Sequence, residues 1–453
     1  MPGTKPGQGA LVKEPREIRS DTIYAAATAP GRAAIAIIRA SGPDAGPALR
    51  SLAGKLPLAR VARHVRFRDP ESGEELDDGL ALWFPGPDSV TGEDVAELHV
   101  HGSRAVVAAV MAALSRRGLR LAEPGEFTRR AFLNDKLDLT QAEAIADLAA
   151  AETEAQRRQA LRQLDGHLGA LYRAWGERLL RLLAHLEATI DFPDEDLPPE
   201  IEREVAGGTR SLANEIESHL ADGHRGERLR DGIAVAIVGP PNAGKSSLLN
   251  ALARREAAIT SPIAGTTRDI IEVGLDLRGY PVVLADTAGL RDSADIIEQE
   301  GLRRALKRAE EAELRLFVFD AMRPEDAEGA AAWPGPDTLL VANKIDLAAG
   351  ARLTAGAIPL SALSGEGLPA LIAAVISRIS EAHDTATPVL TRARHREALE
   401  TAVAALQRSR AAELPELRAE DLRLAWRSLG RITGHADVED LLDVIFRDFC
   451  LGK

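Results

Sequence analysis

Apolar and polar positions change rhythm several times along the chain. From Asp21 the text DTIYAAATAPGRAAIAIIRASG gives two short strand-like runs around a Pro30-Gly31-Arg32 turn, and DDGLALWFPG and DVAELHVHGS give two more. VVAAVMAALSRRG reads as a helix between strands, so the pattern predicts a small α+β domain over 21–135. From 136 to 228 the period is helical. Leu161, Leu164, Leu168, Leu171, Trp175, Leu179, Leu182, Leu186 and Ile190 recur at three- and four-residue spacing, a stripe that should pack on other helices. Thr140 with Glu143 reads as a capping box at the helix start. Pro193 stops the stripe and Pro198-Pro199 opens the next helix. The acidic cluster Asp191, Asp194, Glu195 and Asp196 between them reads as a solvated turn, or else a hinge or docking edge.

Four short apolar runs follow within 229–385. Helical text then resumes over 386–453 in Leu399, Val403 and Leu406, in Leu422, Ala425, Leu429 and Ile432, and in Leu441, Leu442, Ile445 and Phe449. Neither helical stretch is complete as a domain by itself. The pattern predicts one helical bundle split in sequence, with a mostly parallel α/β domain inserted into it. Insertion works because the ends of such a domain can lie close together at its surface. Residues 1–20 are polar, Gly/Pro-punctuated and without period, and are expected to be a disordered extension.

Bulk composition sharpens this only at the edges. A length of 453 residues implies two to four domains, and 45% hydrophobic with 28% charged residues describes a soluble globular protein. One cysteine makes no internal disulfide, and no signal peptide or membrane-length run is evident, so the expected setting is a reducing cytoplasm with no membrane partner. The net charge of −13 argues against indiscriminate nucleic-acid binding. An RNA contact would need a local basic patch or a second protein.

The apolar runs of the inserted segment each end in chemistry. Ile233–Val238 is followed by GPPNAGKSS, which fits G-x-x-x-x-G-K-[ST], a loop whose backbone N–H groups wrap a phosphate chain. Lys245 would reach the β- and γ-phosphates, Ser246 would place its hydroxyl on Mg²⁺, and the helix that starts here aims its dipole at the anion. Asn242, Ala243, Gly244 and Ser247 complete the loop. After Pro281–Ala285 comes Asp286-Thr287-Ala288-Gly289, placed for the Mg²⁺ shell and the γ-phosphate. After Thr338–Ala342 comes Asn343-Lys344-Ile345-Asp346, whose Asp346 carboxylate suits the guanine ring N–H and exocyclic amine; a mismatched buried edge would be costly. After Ile358–Leu360, Ser361-Ala362-Leu363 could close over the base. Four such motifs in this order at strand ends predict a guanine-nucleotide switch.

Two details set it apart. Leu290 stands where many GTPases carry a water-orienting glutamine, so the attacking water must be positioned by something else. Asn242 could coordinate a cation beside the phosphates, or bond its own backbone as a loop amide. The segment Ser261-Pro262-Ile263-Ala264-Gly265-Thr266-Thr267 reads as the first switch, with Thr267 on Mg²⁺ and its carbonyls available to cage a monovalent ion. In the first domain, Arg39 and Glu97 are charges within or beside apolar runs. They are solvent-facing strand residues or members of a site. His99 and His101 share one strand face without a third metal ligand nearby.

Together GPPNAGKSSLLNAL, IAGTTRD, DTAGLR, NKID, PGEFTRRAFLNDKLDLTQAEAIADL and the terminal FCLGK resemble the MnmE (TrmE) family of bacterial tRNA-modification GTPases, over about Asp21 to Lys453. The resemblance implies a homodimer through an N-terminal domain that binds a one-carbon donor, 5-formyltetrahydrofolate or 5,10-methylenetetrahydrofolate. It implies a FAD-dependent partner, MnmG (GidA), in a heterotetramer or larger assembly. The pair would form carboxymethylaminomethyl or aminomethyl groups at the wobble uridine of tRNA. It also implies GTP hydrolysis activated when G domains pair in K⁺. The family's K⁺ site falls on Asn242, Ser261, Ile263 and Thr266, its water-positioning glutamate on Glu298, and its folate site on Arg39, Glu97, Lys136 and Lys453. A Thr is usual where Ser261 stands, which a backbone carbonyl contact tolerates. Cys450 matches a family cysteine and reads most simply as a packed thiol. The competing readings are a ribosome- or RNA-assembly GTPase without folate chemistry, and a structural dimer whose bundle relays motion to a partner.

Overall fold

The computed structural model describes residues 21–191, 199–259, 272–286, 307, 309–333, 337–348, 354–383 and 389–436, and near the C-terminus 442, 445, 446, 449 and 452. They fall into two compact units. One holds the residues up to Ala146 together with those from Thr433 onward; the other is Asp147–Ile432.

The first unit is built on strands β1 (Ile23–Ala26), β2 (Ala33–Ser41), β3 (Arg63–Arg68), β4 (Glu75–Phe84), β5 (Val95–Gly102) and β6 (Arg120–Leu121), in the order β3-β4-β5-β2-β1-β6. All neighbours are antiparallel except β1 and β6. Alternation decides the faces. Ala36, Ile38, Ala40, Ala96, Leu98 and Val100 enter a core with residues of the helices Ala45–Ala53 and Arg104–Arg116. Ile37, Arg39, Glu97 and His99 therefore lie on the opposite face. There Ile23 and Ala25 pack with Ala122 and with Phe127 of the helix Glu126–Leu133.

The PGEFTRRAFLNDK block holds this unit together electrostatically. Arg130, only 4% exposed, reaches Asp21 at 2.7 Å, Glu93 at 3.1 Å and Glu126 at 3.1 Å, and Arg120 joins Asp21 at 2.7 Å. Phe132, Leu139 and Ala142 form a separate apolar cluster with Leu442, Phe446 and Phe449. The C-terminal apolar positions expected on a bundle helix thus pack within this unit. The helix Leu139–Ala150 begins earlier than Thr140/Glu143 suggested. Its cap is Asp138, whose Oδ1 accepts from the Gln141 N–H while Gln141 Oε1 accepts from the Asp138 N–H, both at 3.0 Å.

The second unit carries two cores. Helices His167–Asp191, Pro199–Leu220, Ala393–Ala411 and Pro415–Thr433 share one, in which Leu168, Trp175, Leu179, Leu182 and Leu186 meet Leu399, Leu406, Leu422 and Leu429. This is a bundle assembled from both sides of the inserted domain. Trp175 is an ordinary core residue of it. The insert is a seven-stranded sheet of β7 (Ile233–Val238), β8 (Ala257–Ile259), β9 (Glu272–Leu277), β10 (Tyr280–Asp286), β11 (Leu314–Asp320), β12 (Thr338–Asn343) and β13 (Ile358–Pro359). The order is β13-β12-β11-β7-β10-β9-β8, parallel from β13 to β10. β7 lies between β11 and β10, so the loop after it opens where the strand order reverses, the usual ligand crevice of such sheets.

The two connections of the insert are clasped by carboxylates. Asp147 Oδ1 takes Arg230, before β7, at 3.0 Å and Arg392, after the insert, at 2.6 Å. Glu313 takes Arg228 at 3.1 Å and His383 at 2.6 Å. Arg396 donates to Asp222 at 2.8 Å and Glu227 at 3.1 Å. Burial pushes the Glu313 carboxyl up, and its His383 and Arg228 contacts more than offset this, holding it below the ordinary range. Burial also opposes ionisation of Asp21 and Glu126, and their arginine contacts likewise leave both lowered.

Asp147→Ala removes the carboxylate that two partly buried guanidinium groups share and should cost about 1–3 kcal/mol, seen as a lower urea midpoint. Arg178→Ala, on the exposed pair with Glu215, should cost less than about 1 kcal/mol. Equal losses would contradict a structural clasp. Because Asp21, Glu126 and Glu313 have folded pKa values below their unfolded ones, their contribution is complete above the ordinary carboxylate range. It is lost as pH falls through the folded values. Urea midpoints should therefore fall progressively below about pH 4, and a midpoint unchanged down to pH 3 would contradict this.

Candidate functional site

At the end of β7 the chain turns through Gly239, with φ 139°. A Cβ there would run into the Val318 carbonyl oxygen of β11, so the loop can leave between neighbouring strands only as glycine. Asn242 and Gly244 both have left-handed backbones, φ 62° and 92°, in the kind of loop that gathers N–H groups into an anion-binding concavity. The helix Lys245–Arg255 starts directly after Gly244, which supplies no side-chain cap, so its first-turn N–H groups have no cap side chain to satisfy them. Lys245 is buried, with Nζ donating to the carbonyls of Gly239 and Pro240, each at 2.9 Å. Ser246 and Ser247, and Asn242 within the loop, are exposed.

The second half of the site lies at the ends of β11 and β12, where Asp320 and Asn343 are register partners. Asn343 is 2% exposed. Its Nδ2 donates to the Ala243 carbonyl at 2.8 Å and its Oδ1 accepts from the Ala362 N–H at 3.0 Å. One side chain thus joins the loop after β7 to the loop after β13. A Cβ on Gly244 would strike that same Asn343 Nδ2. Lys344, with φ 65°, donates from Nζ to Asp320 Oδ2 at 2.8 Å. Ser361 is fully buried, its N–H bonded to the Glu366 carbonyl at 2.9 Å and its Oγ accepting from the Ser364 N–H at 3.1 Å. Asp346 and Leu363 are exposed, and Ala362 is partly buried.

Asp286 closes β10 opposite Ile237 of β7, beside the same crevice. Ser261, Pro262, Ile263, Ala264, Gly265, Thr266, Thr267, Thr287, Ala288, Gly289, Leu290, Glu298, Cys450 and Lys453 lie outside the described residues.

In the first unit, register sets Arg39 of β2 directly opposite Glu97 of β5. Nε and Nη2 of Arg39 both donate to Glu97 Oε1, at 3.0 and 2.8 Å, while Glu97 Oε2 meets His99 Nε2 at 3.3 Å. The guanidinium carbon stands 5.9 Å from the centroid of Phe127. His101 is engaged separately by Asp77. Lys136 is not drawn into this group; its Nζ donates to the Pro87 carbonyl at 2.8 Å. A half-buried carboxylate beside a stacked guanidinium and an imidazole, on a sheet face with Ile37 and Leu82, fits a planar heterocycle carrying N–H donors. Two members escaped the sequence reading, His99 as a partner of Glu97 and Asp320 as a partner of Lys344. The first could have been found from the two-residue spacing alone.

A phosphate loop after the first strand of a parallel sheet, tied by a buried asparagine to a base loop, defines a P-loop GTPase. Comparison with known proteins narrows this. The family model for the "GTP-binding protein TrmE N-terminus" matches residues 22–136 and that for the "MnmE helical domain" matches 139–450. A tRNA modification GTPase MnmE from Rhodospirillum rubrum is 59% identical over 452 residues, covering 96% of this chain and 99% of that protein. One from Parvibaculum lavamentivorans is also 59% identical, covering 96% and 100%. The G domain of the T. maritima FeoB iron transporter aligns with 33% of this chain and 98% of its own at 26% identity, with a TM-score of 0.26, too low to bear on the fold. The chain belongs to the MnmE family of tRNA modification GTPases.

Asn343→Ala removes both bonds between the loops. GDP and GTP should bind about 10–100-fold more weakly, in parallel, since two hydrogen bonds of about 1 kcal/mol each are lost. Titration calorimetry on the full chain checks this, and an affinity within twofold of wild type would contradict it.

Proposed function

We propose that the chain hydrolyses GTP in a K⁺-activated cycle that drives formation of 5-carboxymethylaminomethyl or aminomethyl uridine at the tRNA wobble position. The carbon comes from 5-formyl- or 5,10-methylenetetrahydrofolate. The redox chemistry belongs to a FAD-dependent partner of the MnmG (GidA) kind, in a heterotetramer or larger assembly built on a homodimer of this chain. The setting is the cytoplasm. Among the described residues no helix is long and apolar enough to cross a membrane.

The observation that carries the folate part is the Arg39–Glu97–His99 group. Glu97 offers acceptors to pterin N–H donors, and Arg39 is fixed by two N–H donors on one Glu97 oxygen beside an aromatic ring. Lys136 and Lys453 would add positive charge for the folate's acidic end. In the GTPase domain, Lys245 would turn from its loop carbonyls to the phosphates, and the guanine edge would be read by Asp346. Asn343, Lys344, Ser361, Ala362 and Leu363 shape the base site. Ser246 and Thr267 would hold Mg²⁺, which supplies charge neutralisation at the β- and γ-phosphates. Asp286, Thr287, Ala288 and Gly289 would complete the Mg²⁺ shell and the γ-phosphate contacts. Asn242 would ligate K⁺ with Ser261, Ile263 and Thr266, and its exposed left-handed position in the phosphate loop suits that role. Glu298 would orient the attacking water in place of the residue at Leu290.

Hydrolysis should be at least about tenfold faster in K⁺ than in Na⁺, as expected where a positive charge stabilises the transferring phosphoryl group. Asn242→Ala should abolish the difference, and equal wild-type rates in the two salts would remove the K⁺ mechanism. Equilibrium dialysis with 5-formyltetrahydrofolate should give saturable binding that Glu97→Gln weakens at least about tenfold, the loss of a charged hydrogen-bond partner. Absence of binding would instead favour an RNA-assembly GTPase.

A further inference from the structure

We propose that Asp320 sets nucleotide affinity by pinning Lys344. Asn343 and Asp346 frame the base site, and Lys344 lies between them in the turn that leaves β12. A free lysine there would sample many rotamers along its flexible four-carbon stem. In this chain the tip is fixed: Nζ sits 2.8 Å from Asp320 Oδ2. Asp320 is itself held from two directions. Its Oδ1 accepts from the Met322 N–H at 2.9 Å, and the Ala321 N–H bonds the Asn343 carbonyl at 2.8 Å, tying the end of β11 to the end of β12. The lysine and aspartate ends are therefore set by adjacent parallel strands in fixed register.

The consequence is a pre-ordered apolar stem beside the base. Lysine buries its methylenes against flat apolar surface while its ammonium stays solvated or paired. With Asp320 in place, the rotamer entropy of that stem is spent before nucleotide arrives, so binding need not order it. Asp320 touches neither phosphate nor the reacting atoms. It is a positioning residue that acts through Lys344, on affinity and not on the hydrolytic step. The inference rests on the nucleotide-site reading, and wild-type GDP binding measured alongside reports on that reading by itself.

The test is a cycle on the full chain with D320N, K344A and the double variant, using fluorescent GDP and GTP analogues for affinity and steady-state GTP hydrolysis for kcat and KM. Asparagine matches aspartate in shape but offers a single acceptor oxygen, so Met322 keeps its bond while Lys344 loses its anchor. D320N should raise Kd for both nucleotides and KM about tenfold, the scale of a lysine's side-chain entropy. It should leave kcat at saturating GTP within about twofold, and D320N/K344A should bind no more weakly than K344A. Unchanged affinity in D320N would overturn the proposal. So would additive losses in the double variant, which would mean that Asp320 acts by a route other than Lys344.

Discussion

A single buried amide governs how the nucleotide site is assembled. Asn343 donates to the phosphate loop and accepts from the base loop. A buried amide left unpaired on either side would cost more than the bond it makes. The spacing between phosphate grip and base reader is therefore fixed by one side chain on the end of β12. The surrounding choices follow from it. Gly244 must lack a Cβ because Asn343 Nδ2 occupies that space, and Gly239 must lack one because β11 runs alongside. Ala362 takes its place because its N–H is the amide's second partner.

A switch inserted into a bundle has a mechanical problem, since both of its tethers emerge on one side. Here each tether is gripped by an anion that also grips the other. Asp147 holds Arg230 and Arg392, and Glu313 holds Arg228 and His383. Any reorientation of the insert about its tethers has to break or carry these charge pairs. Being partly buried, they are screened less than surface pairs.

Much of this was legible from the chain. The four nucleotide motifs stand at the ends of apolar runs, and a run of the right length fixes where a parallel strand stops. The part of the leucine stripe from Leu168 to Ile190 and the later stripe from Leu399 to Ile432 converge on one core. Leu161 and Leu164 belong to the separate helix Glu154–Leu164 and are not part of that core. Other features were not legible, for physical reasons. β3 reads RHVRFR, so its two buried residues, Val65 and Phe67, are masked by charges on the outward face. The helix Ala45–Ala53 buries Ala45, Ala48, Leu49 and Leu52 at helical spacing, but it is short and its Gly46 and Pro47 read as loop residues. Asp138 rather than Thr140 caps its helix because Gln141 can return the bond. The clasp joins residues up to 245 positions apart, a distance over which no local pattern speaks. Asp320 carries no local signal of its own; only the register of β11 and β12, which pairs it with Asn343, brings it within reach of Lys344.

The first unit shows the same dependence on register. Arg39 and Glu97 are 58 residues apart, and only antiparallel pairing of β2 with β5 makes them one group. What unites the chain is still guanine recognition at a site whose two halves are locked by Asn343. The most direct measurement is a pair of calorimetric titrations of the full chain with GDP and with ADP. The account predicts GDP binding at least about a thousandfold tighter, on the scale of a site that leaves its polar groups unpaired with the wrong base. Comparable affinity for ADP would contradict it.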